Sequence, residues 1–300
     1  NLFTKITKMT EFPPGLVLIV GGILVPIFRG TFRKVYMLVL PIVGFWGLTQ
    51  FTEGTYFTTE LFGLALHPVR IDALSLVFGY IFYIAAGISI IYALHLKDTL
   101  QQIAGLIYAG AAIGGVFAGD LITLFIYWEG TAIASVFLIW ASRTEKSYRA
   151  GLRYLIIQVG SGVLLLAGAI IYFNTTGSIK FDKMAASELG PILILVAFGI
   201  KAAFPLLHNW LQDAYPEATV TGTVFLSAFT TKLAIYALAR GFPGTEMLVW
   251  VGATMTAFPI FYAVIENDLR RVLAYSLNNQ LGFMVVGIGI GTELSLNGTV

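Results

Sequence analysis

A lysine and a proline interrupt an apolar run that reads Gly199-Ile200-Lys201-Ala202-Ala203-Phe204-Pro205. Proline has no backbone N–H, so the carbonyl group four residues earlier loses its helical donor. That carbonyl belongs to Lys201 itself. Backbone groups freed in this way survive inside a bilayer only where protein or a water-filled cavity covers them. The sequence therefore predicts a helix that is broken or locally unwound beside a buried lysine, as at the ion sites of many transporters.

The composition around this run is that of an integral membrane protein. The 300 residues are 57% hydrophobic and 11% charged, whereas soluble chains carry about 25% charge. Apolar stretches alternate with short polar connections and predict an all-α fold with about ten transmembrane helices. The stretches cover 14–28, 35–52, 72–95, 103–119, 121–141, 152–173, 190–210, 219–240, 246–265 and 273–291. Between the second and the third, residues 53–70 predict a short hairpin.

The same composition excludes several kinds of site. Without cysteine, the chain has no disulfide framework, thiolate metal site or cysteine-ligated iron–sulfur cluster. No two of its three histidines are spaced to hold a haem, and no motif binds flavin or NAD. We therefore expect no cofactor and no metal. A net charge of +2 is too small to indicate nucleic acid as a partner, so the lipid bilayer is the expected environment.

Charge counting predicts the orientation. With ten spans, one side of the membrane carries ten basic residues and the other six, and the positive-inside rule places the larger set in the cytoplasm and the N-terminus outside. We expect the cell (inner) membrane of a prokaryote. The chain begins with Asn1 and stops soon after the tenth span, so we expect a piece of a longer protein. The larger set consists of Arg29, Arg33, Lys34, Lys97, Arg143, Lys146, Arg149, Arg153, Arg270 and Arg271.

Three charged side chains fall well inside predicted spans: Glu129 in the fifth, Lys201 in the seventh and Lys232 in the eighth. A charge near the bilayer centre costs at least ~2.5–3.5 kcal/mol, so each needs a partner or a wet cavity. One interpretation is a structural Glu129–Lys201 ion pair, which leaves Lys232 unexplained. The other is a relay for protons or cations, in which moving or neutralising the carboxylate switches the lysine.

His208 follows Lys201 by seven residues, so an unbroken helix would bring both onto one face. Histidine titrates near neutral pH and can pass a proton on. The alternative is a histidine satisfied by one hydrogen bond at the end of the span.

Further polar residues lie inside the apolar spans and are candidates for lining a path. On the eighth span, Thr219, Thr223, Ser227 and Thr230 form a hydroxyl stripe almost opposite Lys232. Amide and hydroxyl side chains on the sixth and tenth spans are costly unless they are hydrated or bonded to other helices. They are Gln158, Ser161, Asn278, Asn279 and Gln280.

Three segments carry a resemblance to a known family: 202–211 (AAFPLLHNWL), 213–218 (DAYPEA) and 268–276 (DLRRVLAYS). Together with the three buried charges, they resemble the antiporter-like membrane subunits shared by respiratory complex I and Mrp-type multisubunit cation/proton antiporters. Within that family the chain is most similar to the D-type subunits of the Mrp antiporters. Two features depart from the family. Residues 218–222 read ATVTG where Ala-Pro-x-Pro is common, and the second broken helix is absent from these residues.

The resemblance implies a fold of fourteen helices with two inverted five-helix repeats, each containing a broken helix. Residues 1–102 would be peripheral, 103–240 the first repeat and 241–300 the opening of the second. By position, Glu129 and Lys201 match the family's ion-paired glutamate and proton-accepting lysine. His208 matches a conducting or bridging site, and Lys232 matches the base that hands protons toward the second half. Pro205 marks the helix break.

The implied function is proton conduction in a multisubunit Na⁺/H⁺ antiporter, beside other membrane subunits and without enzymatic activity of its own. A first alternative is a proton-pumping, non-redox subunit of a complex I-like NADH:quinone oxidoreductase or a membrane-bound hydrogenase. A variant couples the proton path to carbon uptake. A further alternative, from another class, is a structural subunit whose buried charges lock an assembly together.

Overall fold

The computed structural model describes residues 12–61 and 63–299, and most of them are α-helical. The first helices are α1 (Pro14–Leu24, continued by a 3₁₀ turn at Val25–Ile27), α2 (Gly30–Leu48), α3 (Ala73–Ala93), α4 (Thr99–Phe117), α5 (Leu121–Trp140) and α6 (Glu145–Thr176). The remaining helices are α7 (Leu189–Lys201), α8 (Asn209–Ala214), α9 (Val220–Gly241), α10 (Met247–Ile265), α11 (Leu269–Ile290) and α12 (Glu293–Asn297).

The predicted hairpin is present between α2 and α3. Its outer strands, β1 (Gly54–Tyr56) and β4 (Val69–Ile71), pair antiparallel, and so do its inner strands, β2 (Thr59–Leu61) and β3 (Leu64–Leu66).

The all-α membrane fold is confirmed. Seven of the described helices are long and apolar enough to cross a bilayer, and two further helices, Pro14–Ile27 and Leu189–Lys201, are apolar but shorter. With α11, each of the ten predicted stretches contains a helix. Large apolar side chains such as Ile42, Phe261 and Phe283 are mostly exposed, as expected of surfaces that face lipid. The chain is an integral membrane protein.

Several helices begin earlier than the apolar stretches predict. α4, α6 and α11 start about four to seven residues upstream, directly after the capping residues Asp98, Thr144 and Asp268. These side chains accept hydrogen bonds from the free N–H groups of the first turn, which lets a helix begin in polar sequence. With 32 residues, α6 is about 48 Å long at 1.5 Å per residue. It exceeds the ~30 Å hydrocarbon core.

The residues form two compact units, one ending at Leu138 and one beginning at Ile139. In the first unit α1 packs on α4, and α2 and α4 both contact α3. In the second unit α6 packs along α7, and α10 packs along α11. The α10–α11 contact depends on glycine: a Cβ atom on Gly252 would lie 2.6 Å from the carbonyl oxygen of Gly282. Such small residues let membrane helices approach closely.

Asp120 ties the hairpin to the N-terminus of α5. One carboxylate oxygen accepts the backbone N–H of Thr123 at 2.7 Å. The other accepts the Thr123 hydroxyl at 2.8 Å and the backbone N–H of His67 at 2.7 Å. The side chain is fully buried. Asp120 thus caps α5, as expected for an acid at the end of a span, and also holds the loop between β3 and β4.

Asp120→Ala should destabilise the protein by about 2–4 kcal/mol, because it removes a helix cap and leaves further buried donors without an acceptor. The free energy of unfolding, measured by titration with a denaturing detergent, checks this. Asp268→Ala is the matched control: it removes an exposed cap with one bond, to the N–H of Arg270, and should cost about 1 kcal/mol. Equal losses for the two variants would contradict the buried tie.

Candidate functional site

The seventh span is broken directly after its lysine. α7 ends at Lys201 and α8 begins at Asn209, so residues 202–208 are not helical. Pro205 lies within this gap. Ala203 and Leu206 take left-handed backbone conformations, with φ of 59° and 70°, which are unfavourable for residues that carry a Cβ atom. The predicted broken helix is therefore confirmed, and its backbone is strained on both sides of the proline.

Compact turns and one side chain hold the break together. The N–H groups of Ala203 and Phe204 donate to the carbonyls of Ile200 (3.1 Å) and Gly199 (2.9 Å). The indole N–H of Trp210, from the first turn of α8, donates to the Ile200 carbonyl at 2.9 Å. Trp210 is 2% exposed. It therefore bridges the two half-helices one residue before the lysine.

Trp210 is a site residue that the sequence reasoning missed. Its ring also meets the rings of Tyr154 and Tyr215 edge-on, at centroid distances of 5.5 and 5.9 Å. The available signal was chemical: an indole offers only a donor, and a helix break leaves carbonyls that need donors.

Lys201 is fully buried as the last residue of α7. α6 packs along α7, and Ser161 on α6 donates to the carbonyl of Ala197, one turn before the lysine, at 2.8 Å. Gln158, one turn earlier on α6, is also fully buried, and neither of its amide atoms has a hydrogen-bond partner. Buried amides are normally satisfied by protein or ordered water, so Gln158 marks a place where water is needed.

His208 is the last residue of the break and faces α10 and α11. Because residues 202–208 are not helical, the seven-residue spacing does not place it on one face with Lys201. Its ring is 4.7 Å from that of Phe258, and its Nδ1 atom is buried without a hydrogen-bond partner. The ring lines a cavity of about 500 Å³. The other lining residues are Pro205, Leu206, Asn209, Thr254, Phe258, Tyr262 and Tyr275.

Lys232 lies on α9 and keeps its ammonium group near its own helix. Its Nζ atom donates to the carbonyl of Ser227 at 2.8 Å, and the Ser227 hydroxyl donates to the Val224 carbonyl at 2.9 Å. Thr230 and Thr231, directly before Lys232, are buried. The Thr231 hydroxyl has no hydrogen-bond partner.

Thr223, at the start of the hydroxyl stripe, joins α9 to α11. Its hydroxyl donates to the Tyr215 carbonyl at 2.9 Å and accepts from the guanidinium of Arg270 at 2.7 Å. The same Arg270 nitrogen donates to the carbonyl of Ala218 at 2.6 Å. Sequence reasoning counted Arg270 only as a loop charge, whereas it fixes the segment that leads into α9.

The three successive amides of the tenth span have different surroundings on α11. Asn278 is fully buried, and neither of its amide atoms has a hydrogen-bond partner. Asn279 donates to the Thr256 carbonyl of α10 at 2.6 Å, and Gln280 is exposed. Gln212 on α8, which contacts α11, is likewise buried with both amide atoms unsatisfied. Together with Gln158, these residues give α6, α8 and α11 one buried amide each that calls for water.

Glu129 belongs to the first unit, on α5. It is half-buried, and so is Gly130, whereas the preceding Trp128 is fully buried. A Cβ atom on Gly130 would lie 3.3 Å from that of Ala111, so α5 and α4 are in close contact beside the carboxylate.

Residues 118–300 match the transmembrane family described as NADH:quinone oxidoreductase/Mrp antiporter. The chain belongs to this family. The matched region includes Glu129, Lys201, His208 and Lys232, and the resemblance read from the sequence is confirmed.

Two relatives and one solved structure illustrate the family. The D-type subunit of the Na⁺/H⁺ antiporter of Alkalihalophilus pseudofirmus is 30% identical over 211 residues, 63% of this chain and 43% of that protein. The N-type subunit of the NADH-quinone oxidoreductase of Desulforudis audaxviator is 32% identical over 209 residues, 63% of this chain and 42% of that protein. The chain thus spans less than half of the length of these relatives. The Mrp complex from Dietzia sp. DQ12-45-1b contains the same fold, with a TM-score of 0.81 at 21% identity over 97% of this chain and 60% of that one.

Trp210→Phe should destabilise this family member by about 1 kcal/mol, because the variant keeps the ring packing but removes the indole bond and leaves the Ile200 carbonyl with only the Ala203 N–H. Hydrogen exchange at the amides of 203 and 204 should become faster than in the wild type. The matched control is Trp250→Phe, since Trp250 is 70% exposed on α10. If both variants unfold at the same detergent concentration and exchange alike, the bridge does not hold the break.

Proposed function

We propose that this chain is a proton-conducting membrane subunit of a multisubunit Na⁺/H⁺ antiporter. Lys201 loads and releases the proton, and Glu129 tunes it. His208 and Lys232 extend the relay. The observation that carries the proposal is the burial of Lys201 at the point where its helix breaks, in a chain of this family.

The physical argument begins with the cost of the ammonium group. A charge at bilayer depth is retained where it is paired, hydrated or functional. The break beside Lys201 exposes backbone groups, and such groups need protein or water around them. A lysine in this setting can lose its proton to water, while a carboxylate that approaches it favours the charged form. Moving that carboxylate or neutralising it would then change the proton affinity of the lysine.

Unsatisfied buried polar groups in the second unit support a hydrated path. Unsatisfied buried polar groups on α6, α8, α9 and α11 need waters, typically with two to four hydrogen bonds each. Waters held by Gln158, Gln212, Thr231 and Asn278 would connect groups that cannot reach one another directly. Proton transfer between groups that are too far apart for a direct hydrogen bond needs such a chain of waters.

The two named relatives point to different assemblies. The antiporter relative supports ion exchange, whereas the oxidoreductase relative supports the alternative of redox-driven pumping. Quinone-site or hydrogenase inhibitors would stop redox-linked pumping but not secondary antiport. Small Mrp-type subunits encoded beside this gene would favour the antiporter, and dehydrogenase or hydrogenase subunits would favour the pump.

The remaining architecture is proposed with the function. Residues 103–240 would form the first five-helix repeat, 241–300 the opening of the second and 1–102 a peripheral group of helices. The partners would be other membrane subunits, H⁺ and Na⁺. The location would be the inner membrane of a prokaryotic cell, with the N-terminus outside.

Lys201→Ala should lower ΔpH-driven exchange by on the order of 100-fold, the contribution typical of a positioned proton-transfer group. The measurement uses vesicles that contain the whole complex, with Na⁺, K⁺ or neither outside. Glu129→Gln keeps the shape of the side chain, removes its charge and should also slow exchange. Lys180→Ala, at an exposed loop lysine, is the matched control and should exchange normally.

Measuring assembly distinguishes the proton-relay hypothesis from the hypothesis that the buried charges only hold the complex together. Under the proposal, complexes with Lys201→Ala assemble in normal amounts but do not exchange. Loss of assembly in that variant, with normal exchange by the complexes that do form, would establish the structural alternative instead.

Orientation can be tested directly because these 300 residues contain no cysteine. Lys146→Cys and Lys180→Cys each introduce a thiol on an exposed residue that we assign to opposite sides. In intact cells, a membrane-impermeant maleimide should label position 180 and reach position 146 only after permeabilisation. The reverse pattern would place the N-terminus inside.

A further inference from the structure

We propose that the groove between α1 and α2 binds an anionic diacyl phospholipid, with its phosphate at Arg33 and one acyl chain along the groove. This site lies in the first unit and contains none of the proposed relay residues. It does not depend on the proposed transport function.

The groove has the chemistry and length of an acyl-chain site. It encloses about 400 Å³ between α1 and α2, and most of its lining is apolar. From Tyr36 to Leu48 it follows α2 over twelve residue steps, about 18 Å at 1.5 Å per residue. One leaflet of the hydrocarbon core is about 15 Å deep. The main lining residues are Val17, Leu24, Leu40, Val43, Gly47 and Phe51.

Gly47 leaves room in the groove rather than contacting a neighbouring helix. No atom lies within 4 Å of the place that a Cβ atom on Gly47 would take. Gly44, one turn earlier, differs, because its Cβ atom would collide with the ring of Tyr83. The open volume therefore lies along the Gly47 face of α2.

A cationic residue, Arg33, continues the same helical stripe one turn beyond Tyr36, which lines one end of the groove. Arg33, Tyr36, Leu40, Val43 and Gly47 follow one another at spacings of three and four, so they form one stripe along α2. At this end the Tyr36 hydroxyl donates to the Gly21 carbonyl at 3.0 Å. Tyrosine is enriched at the membrane–water interface, where a lipid phosphate also lies.

The guanidinium of Arg33 is held in place by neutral acceptors. Its Nε atom donates to the Phe28 carbonyl at 2.7 Å. Its Nη1 atom donates to the Thr99 hydroxyl at 2.7 Å and to the Gln102 amide oxygen at 3.4 Å. Within residues 12–61 and 63–299, no acidic side chain forms an ion pair with Arg33 or with its neighbours Arg29 and Lys34. Asp98 caps α4 instead, accepting the N–H of Leu100 at 3.0 Å.

A phosphate diester fits this arrangement better than the alternatives. Positioned guanidinium groups bind phosphate oxygens strongly and with defined geometry. Basic pockets between membrane helices attract anionic headgroups. A free phosphate would satisfy the arginine but not the apolar groove, and a zwitterionic lipid would fill the groove without the net negative charge. A diacyl lipid with an anionic headgroup uses both features.

The test measures lipid retained by the full-length protein in nanodiscs that contain phosphatidylglycerol and phosphatidylcholine. Native mass spectrometry counts the lipids that remain bound after the protein is released from the nanodisc. Arg33→Gln should lower the retained phosphatidylglycerol about fivefold relative to phosphatidylcholine, as expected for one basic residue near the membrane surface. Gly47→Leu should lower retention of phosphatidylglycerol by filling the groove. The matched controls are Lys146→Gln, for an exposed charge, and Gly160→Leu, since a Cβ atom at Gly160 also meets open space.

Each other result overturns the proposal. Unchanged retention in Arg33→Gln would remove the headgroup contact, and unchanged retention in Gly47→Leu would remove the acyl-chain contact. Displacement of the lipid by millimolar glycerol phosphate would indicate a site for the headgroup alone. Retention by the isolated protein but not by its assembled complex would show that a partner helix occupies the groove.

Discussion

An ammonium group buried at bilayer depth is the constraint from which the rest of the second unit follows. Lys201 has no exposed surface, so its surroundings must supply what water would supply outside the membrane. The helix ends at this residue, and that brings backbone groups to the same place. One local feature, a lysine followed by Ala-Ala-Phe-Pro, therefore creates both the charge and the irregular backbone. Neighbouring helices must then be built to support them.

That support is distributed over several elements. Trp210 closes the gap between α7 and α8 with a single indole bond. Ser161 bonds α6 to the α7 backbone one turn before the lysine. Arg270 holds the segment leading into α9 by bonding the Ala218 carbonyl and the Thr223 hydroxyl. These bonds go to backbone or short side chains, so they fix geometry while the amides of Gln158, Gln212 and Asn278 keep their donors and acceptors. Buried amides without protein partners are normally satisfied by ordered water.

The two units carry different kinds of information about function. The second holds the broken helix, the buried lysine and the cavity beside His208. The first holds Glu129 and the helices α1 and α2, which border the groove near Arg33. Asp120 belongs to the frame, since it joins the hairpin to the start of the helix that carries Glu129.

Hydropathy was enough to place a described helix in each of the ten predicted stretches, because burial of about twenty apolar residues in lipid is a property of local sequence. The break could also be read locally, since proline at 205 removes one donor from one known carbonyl. Helix starts were misplaced at α4, α6 and α11, because Asp98, Thr144 and Asp268 let polar first turns become helical. The bonding partners of Trp210 and Arg270 could not be read from the sequence, although the donor chemistry of the indole was a signal for the first. Each bonds a carbonyl ten or more residues away, and those distances come from how half-helices and neighbouring spans pack. The position of the His208 ring also depended on packing. His208 ends the stretch of seven non-helical residues, 202–208, that follows α7, and its ring lies against Phe258.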